Sequence, residues 1–296
     1  FSLTADYYYK VTDPLLIKVS TPLSSGTPTY MTNAGEQVSQ GLTASVSYYI
    51  FQNFAERFSW MIRANVRTQK SKIDKIGNKL STLNASGKGA NTVRYYDGAD
   101  PDDIWAVKSA GIDPSNGKEL FYAKDGSYTY DFSYDDEVIC GNTRPDVEGV
   151  IGSSLNWKGF SVSLNFRYQM GADVFNEALY NKVENISKND LNKNQDRRAL
   201  YERWQDVGDI VHFKDIASAE TTPMSSRFVQ EENVLTLESI YVGYEFYDGW
   251  IKKIGLSSLK IQASMRDVFR ASTIRSERGI AYPFARSMEA GLSFNF

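Results

Sequence analysis

Apolar and polar residues alternate along "GFSVSLNFRYQMG", residues 159–171. Phe160, Val162, Leu164, Phe166, Tyr168 and Met170 fall on one face, and Ser161, Ser163, Asn165, Arg167 and Gln169 on the other. A period of two marks a strand whose two faces meet different surroundings. The same pattern recurs at 42–50 (Leu42, Ala44, Val46, Tyr48, Ile50 against Thr43, Ser45, Ser47, Tyr49) and at 58–67 (Phe58, Trp60, Ile62, Ala64, Val66 against Ser59, Met61, Arg63, Asn65, Arg67). It returns at 259–266 and at 287–296, and more weakly at 2–10, 147–157 and 235–246. The pattern predicts about eight strands of about ten residues, the length a tilted strand needs to cross a bilayer.

The intervals between these strands alternate in length. Residues 11–31 are long and rich in Ser, Thr and Pro, whereas "FQNFAERF" (51–58) is short; 70–145 is very long, whereas "NWKGF" (156–160) is a tight turn. Residues 173–232 are long again, 247–258 moderate, and 270–285 returns to the first side. Short turns on one side and long loops on the other are the habit of outer-membrane barrels, and a soluble sandwich has no reason to sort its loops so. Trp60, Trp157, Tyr48 and Tyr168 near strand ends suit an aromatic girdle. Inside the loops, turn chemistry at Pro114–Gly117 and Asp125–Gly126 predicts a small hairpin over 113–132. Phe175, Leu179 and Val183 have helical spacing over 172–186, and Leu200 and Trp204 do so over 194–204, with Asp196 as a cap.

Composition narrows the choice. Among 296 residues no window approaches a membrane-spanning apolar helix, whereas 19 Tyr, 16 Phe and 5 Trp form a large aromatic load. Alternation keeps mean hydropathy low, so a transmembrane β-barrel stays open. Lys plus Arg is 33 and Asp plus Glu is 36, a net charge of −3 that gives no reason to expect nucleic acid. One Cys (Cys140) and one His (His212), far apart, leave no thiol, metal or triad constellation, so the chain reads as no enzyme. His212 reads as a loop histidine and Cys140 as a small packing residue. The acidic runs 97–103 and 134–137 could hold Ca²⁺ but lack the spaced loop with glycine at its sixth position, and read first as solvated turns.

Several stretches resemble the C-terminal part of the SusC-like TonB-dependent outer-membrane transporters of Bacteroidetes. They include "DYYYKVTDPLL" (6–16), "YMTNAGEQVSQGL" (30–42), "GIDPSNGKELFYAKDG" (111–126), "GNTRPDVEGVIGSSLNWKGFSVSLNFRYQMGADVFN" (141–176), "DRRALYERWQDVGD" (196–209), "SSRFVQEENVLTLESIYVGYEF" (225–246), "MRDVFRASTIRSERGIAYPFARS" (265–287) and "GLSFNF" (291–296). The resemblance implies an all-β fold: an antiparallel transmembrane β-barrel of about twenty-two strands, of which residues 1–296 would be the last eight or so. Plug, TonB-binding region and earlier strands would precede Phe1. It implies import of oligosaccharide, or second of peptide, with a SusD-like surface lipoprotein and energy through TonB. A self-contained structural or adhesive barrel, and a soluble sandwich, are the readings from other classes.

Within that frame Arg63, Arg67, Arg167, Lys260, Arg266 and Glu289 are expected on the lumen wall, some of them against the plug. Tyr95, Tyr96, Trp105, Tyr201 and Trp204 are candidates for substrate or lid contact, since a sugar's CH face suits an aromatic ring. Each singly reads first as a packing residue of its own loop. Phe296 matches the C-terminal aromatic that the resemblance links to barrel assembly. No cofactor is expected beyond the Ca²⁺ considered above.

Overall fold

The computed structural model describes residues 1–296 except 22, 23, 25, 34, 219 and 276–285, so most of the expected loop at 270–285 lies outside the described residues. Its strands in chain order are β1 (Ser2–Thr12), β2 (Leu16–Ser20), β3 (Thr29–Asn33), β4 (Glu36–Asn53), β5 (Phe58–Asp74), β6 (Asp103–Val107), β7 (Ser109–Ile112), β8 (Glu119–Tyr122), β9 (Tyr128–Thr129), β10 (Glu137–Asn142), β11 (Val147–Trp157), β12 (Phe160–Phe175), β13 (Val229–Phe246), β14 (Ser258–Ser272) and β15 (Ser287–Asn295). Eight of them form one sheet in the order β1-β4-β5-β11-β12-β13-β14-β15. Neighbours are antiparallel throughout. This is an up-and-down wall in which each strand pairs with the next wall strand along the chain.

The short connections close by local chemistry. Between β11 and β12 only Lys158 and Gly159 intervene, with φ of 46° and 93°, the two positive values of a type I′ hairpin turn. A side chain at Gly159 would lie 2.5 Å from the Glu245 carbonyl oxygen, so the neighbouring strand also demands glycine there. Between β4 and β5, Asn53 Oδ1 accepts the Ala55 and Glu56 amides at 3.0 and 3.3 Å, an Asx turn.

The wall strands reach 18 residues in β4 and β13, not the ten or so expected. Only part of each is apolar on its outer face. In β5 the apolar set runs from Phe58 to Val66 and is followed by Thr68, Lys70 and Lys72 on the same face. The apolar band therefore has the depth of a bilayer, and the strands continue past it into water. Tyr168 stands at the edge of that band, not at a strand end.

Neither sheet face is covered by a second sheet among the described residues. The apolar face stays open, with Leu3 62%, Tyr7 66%, Ile261 47% and Leu292 61% exposed. A soluble sandwich buries such a face. β1 pairs with β4 and β15 with β14, and no pairing joins β1 to β15 among the described residues, so the eight strands are an open sheet and not a closed small barrel.

The buried cores sit in the long loops instead. Val19, Ile73, Ile76 and Leu80 form one, with Ile17, Leu83 and Tyr95 packed on it. Leu179, Val183, Ala199, Phe213 and Phe228 form another, with Phe175 and Tyr180 against it. The region expected as a hairpin is a three-stranded meander, β7-β8-β9. Phe175 ends β12 rather than starting a helix, and a π-helical turn over Leu179–Glu184 follows it. The second expected helix shortens to Arg198–Tyr201. Asp196 Oδ1 accepts the Arg198 amide at 2.9 Å, as the cap required, but Ala199 is the buried residue and Leu200 is 64% exposed.

Candidate functional site

Strand register carries the six charged wall candidates to one face. Arg67 lies opposite Glu148, Arg63 opposite Gly152, and Gly152 opposite Asn165. Arg167, two residues from Asn165, shares that face. Across the sheet Asn165 meets Ser239, Ser239 meets Arg266, and on β15 Lys260 and Ser264 meet Ser293 and Glu289. Arg63 Nη2 donates to Asn165 Oδ1 at 3.1 Å, and Asn165 Nδ2 donates to Ser239 Oγ at 2.9 Å. Arg67 Nη1 reaches Glu148 Oε1 at 3.4 Å, Arg167 pairs with Glu238, and Lys260 Nζ lies 5.6 Å from the centre of the Tyr241 ring. Glu238 reaches the polar face because a bulge against β12, between Leu237 and Ser239, adds one residue to β13. That face mixes both signs of charge with hydrogen-bonded amides and hydroxyls and shows no single-sign field.

At the long-loop end, buried arginines join segments far apart in sequence. Arg227 Nη2 donates to Glu119 Oε2 at 2.8 Å and to Glu184 Oε1 at 2.7 Å, all three side chains being at most 9% exposed. Ser225 Oγ donates to Glu119 at 2.5 Å and Thr222 Oγ1 to Glu184 at 2.8 Å. Burial opposes the Arg227 charge, but the two carboxylates outweigh it and hold the guanidinium more firmly protonated than usual. Arg203, bonded only to carbonyls of Ala199, Lys214 and Glu184, is shifted down by burial, as is Lys214. Arg94, fully buried, grips Glu137 through two bonds of 2.9 and 2.6 Å. The Arg227 and Ser225 contacts to Glu119 tie the loop at 75–146 to the loop at 176–228, beside a cleft of about 570 Å³ between Glu119, Tyr130, Glu184, Lys214 and Glu220.

The loop aromatics do not form one platform. Tyr96 and Trp105 meet at 4.9 Å between ring centres. Tyr95 packs on the core of Ile76 and Leu80. Trp204 Nε1 donates to the Pro114 carbonyl at 3.0 Å, and its ring lies so close that a side chain at Gly117 would be 2.6 Å away. Tyr201, 66% exposed, has Arg197 over its ring at 5.2 Å. Phe296 is exposed just past β15. His212 is exposed and offers its backbone carbonyl to Arg227. Half-buried Cys140 has its thiol pushed up by burial.

The acidic runs are bound up in protein contacts. Asp97 accepts the Ile76 and Gly77 amides, Asp100 and Asp102 pair with Arg144, Asp135 with Lys88, and Glu137 with Arg94. Asp100 and Glu137 are well-covered loop ties, whereas Asp97 and Asp135 are the exposed turn residues the sequence suggests. The buried arginines escape sequence reading because an arginine in a polar loop reads as solvated, and nothing in one sequence marks it otherwise.

No family model matches the chain. In sequence it is similar to TonB-dependent receptor P39 of Formosa agariphila, 22% identical over 90% of this chain and 30% of that protein. It is similar also to TonB-dependent receptor SusC of Bacteroides thetaiotaomicron, 24% identical over 98% of this chain and 30% of that one. In structure it is similar to the RagAB peptide importer in its closed-closed state, with a TM-score of 0.79 and 22% identity over 99% of this chain and 33% of that chain. The chain thus spans about 30% of the length of the curated relatives it matches. Fold, open apolar face and these similarities are those of the wall of an outer-membrane β-barrel similar to the TonB-dependent receptors. Within that class it is SusC-like. The relatives named are receptors and importers, not enzymes.

Proposed function

We propose that the chain supplies wall, cell-surface loops and lid-docking surface to a TonB-energised importer of oligosaccharide working with a SusD-like lipoprotein. The observation that carries this reading is the loop body. Loops longer than about fifteen residues in a compact fold are usually functional. Here two far longer loops are present: 176–228 carries its own apolar core, 75–146 shares one with Val19 and Ile73 through Ile76 and Leu80, and the two are tied together by Arg227, Glu119 and Glu184. The edges of β1 and β15 would be paired by further strands of the barrel, since an unpaired edge is not tolerated in lipid. In this reading some of Arg63, Arg67, Arg167, Lys260, Arg266 and Glu289 touch the plug, Tyr96, Trp105 and Tyr201 meet substrate or lid, and Phe296 serves assembly.

Peptide is the second reading, because the solved structure this wall resembles is named a peptide importer. The test is growth of a gene-deletion strain on a panel of glycans and peptides, with capture of the lipoprotein in detergent. Loss of growth on a glycan with co-capture of a lipoprotein is expected. Loss on peptides alone moves the cargo to the second reading. Unchanged growth with no lipoprotein captured ends the importer reading in favour of a structural barrel.

A further inference from the structure

At the short-turn end of the apolar face, a groove of about 560 Å³ opens between Ile50, Phe51, Phe58, Trp60 and Trp157, with Asn53 and Glu56 at its turn end. Its shape has local causes. The bulge between Tyr49 and Phe51 inserts Ile50 as an extra residue, so two successive apolar side chains line the same slot. Phe51 and Phe58 meet edge to face at 5.0 Å. Trp60 spends its only donor on Ser153 Oγ at 3.0 Å, which fixes the ring and leaves carbon toward the groove. Asn53 Oδ1 is taken by the Ala55 and Glu56 amides.

One ammonium, that of Lys158, stands at the turn end. Lys158 Nζ sits 3.3 Å from Glu56, which lines the groove, and 5.9 Å from the centre of the Trp157 ring. Both partners of that pair are more than half exposed, so the pair is weak and the ammonium stays open to another anion. On the neighbouring turn Lys252 is paired with Asp248 at 2.9 Å, which leaves Lys158 as the ammonium beside the groove. The slot is apolar toward the middle of the membrane and carries the exposed Lys158–Glu56 pair at its turn end.

We propose that this groove holds one glycerophospholipid of the inner leaflet, an acyl chain lying between Phe51, Trp60 and Trp157 and its phosphate on Lys158. The orientation rests on the outer-membrane importer reading, which puts the short turns in the periplasm. A neutral detergent-like amphiphile matches the apolar half alone; the ammonium at the mouth selects the phosphate.

The experiment uses the full-length protein extracted from its own outer membrane in mild detergent, with bound lipid counted by native mass spectrometry and identified after release. One retained glycerophospholipid is expected. Lys158→Asn, which suits the positive φ at that turn, should lower its occupancy about fivefold, while heat-resistant migration shows the barrel folded. Lys158→Arg should restore occupancy, and Lys252→Asn on the neighbouring turn should leave it unchanged. Equal occupancy in Lys158→Asn, equal loss in Lys252→Asn, or retention of a phosphate-free amphiphile overturns the proposal. Retained lipid A overturns it through the orientation, and surface thiol labelling shows independently whether the turns face the periplasm.

Discussion

One residue step along a wall strand moves a side chain from lipid to water. Leu164 lies opposite Ser153 and Ile240 on the apolar face, while Ser163 lies opposite Ser154 and Tyr241 on the polar one. Leu164→Arg should cost roughly 2–4 kcal/mol near mid-membrane and Ser163→Arg much less. Urea unfolding of the full-length protein in lipid vesicles measures both, and similar losses from the two would overturn the face assignment. The parity of β5 and β12 was legible from alternation, whereas the bulges at Ile50 in β4 and Glu238 in β13 shift it in ways alternation does not show. The packing that refines it was not legible either. Tyr168 lies across Gly149 to donate to the Asn65 carbonyl at 2.9 Å, an arrangement of three strands that one strand's pattern does not encode.

Among the elements, the loops depend on charge buried between them. Arg227→Ala would leave Glu119 and Glu184 buried without their cation, a loss of about 3–5 kcal/mol for such a pair. Hydrogen exchange should then rise over residues 109–132 and 179–228 while the wall strands keep their protection. Unchanged exchange in those loops would show that the apolar cores alone hold them. Turn residues announced a hairpin over 113–132, which is part of the three-stranded meander Ser109–Thr129, and the Asp196 side chain that accepts the Arg198 amide was readable. The end of β12 was not, because Phe175, Leu179 and Val183 share helical spacing yet reach one core from a strand end and a π-helical turn. Periodicity reports which residues lie on one side, and two geometries satisfied it here.

For the whole molecule the measurable property is sidedness. Cysteines introduced at Lys124 and Asn189 in the long loops should react with an impermeant thiol reagent on intact cells, and one at Ala55 should not. All three positions are exposed, while the native Cys140 thiol is half-buried with its pKa raised, so background is low. Labelling at Ala55 with silence at the other two would reverse the topology. By itself the sequence determined strand positions, the sorting of short and long connections, and the two-faced wall, because these follow from a period of two and from turn residues within a few positions of each other. Only the tertiary structure decided that the apolar face lies open, that the strands outrun the bilayer, and that Arg94, Arg203 and Arg227 are buried. Burial and ion pairing depend on which segments meet, and Glu119 and Arg227, 108 residues apart, meet only when the loops fold over the end of the wall.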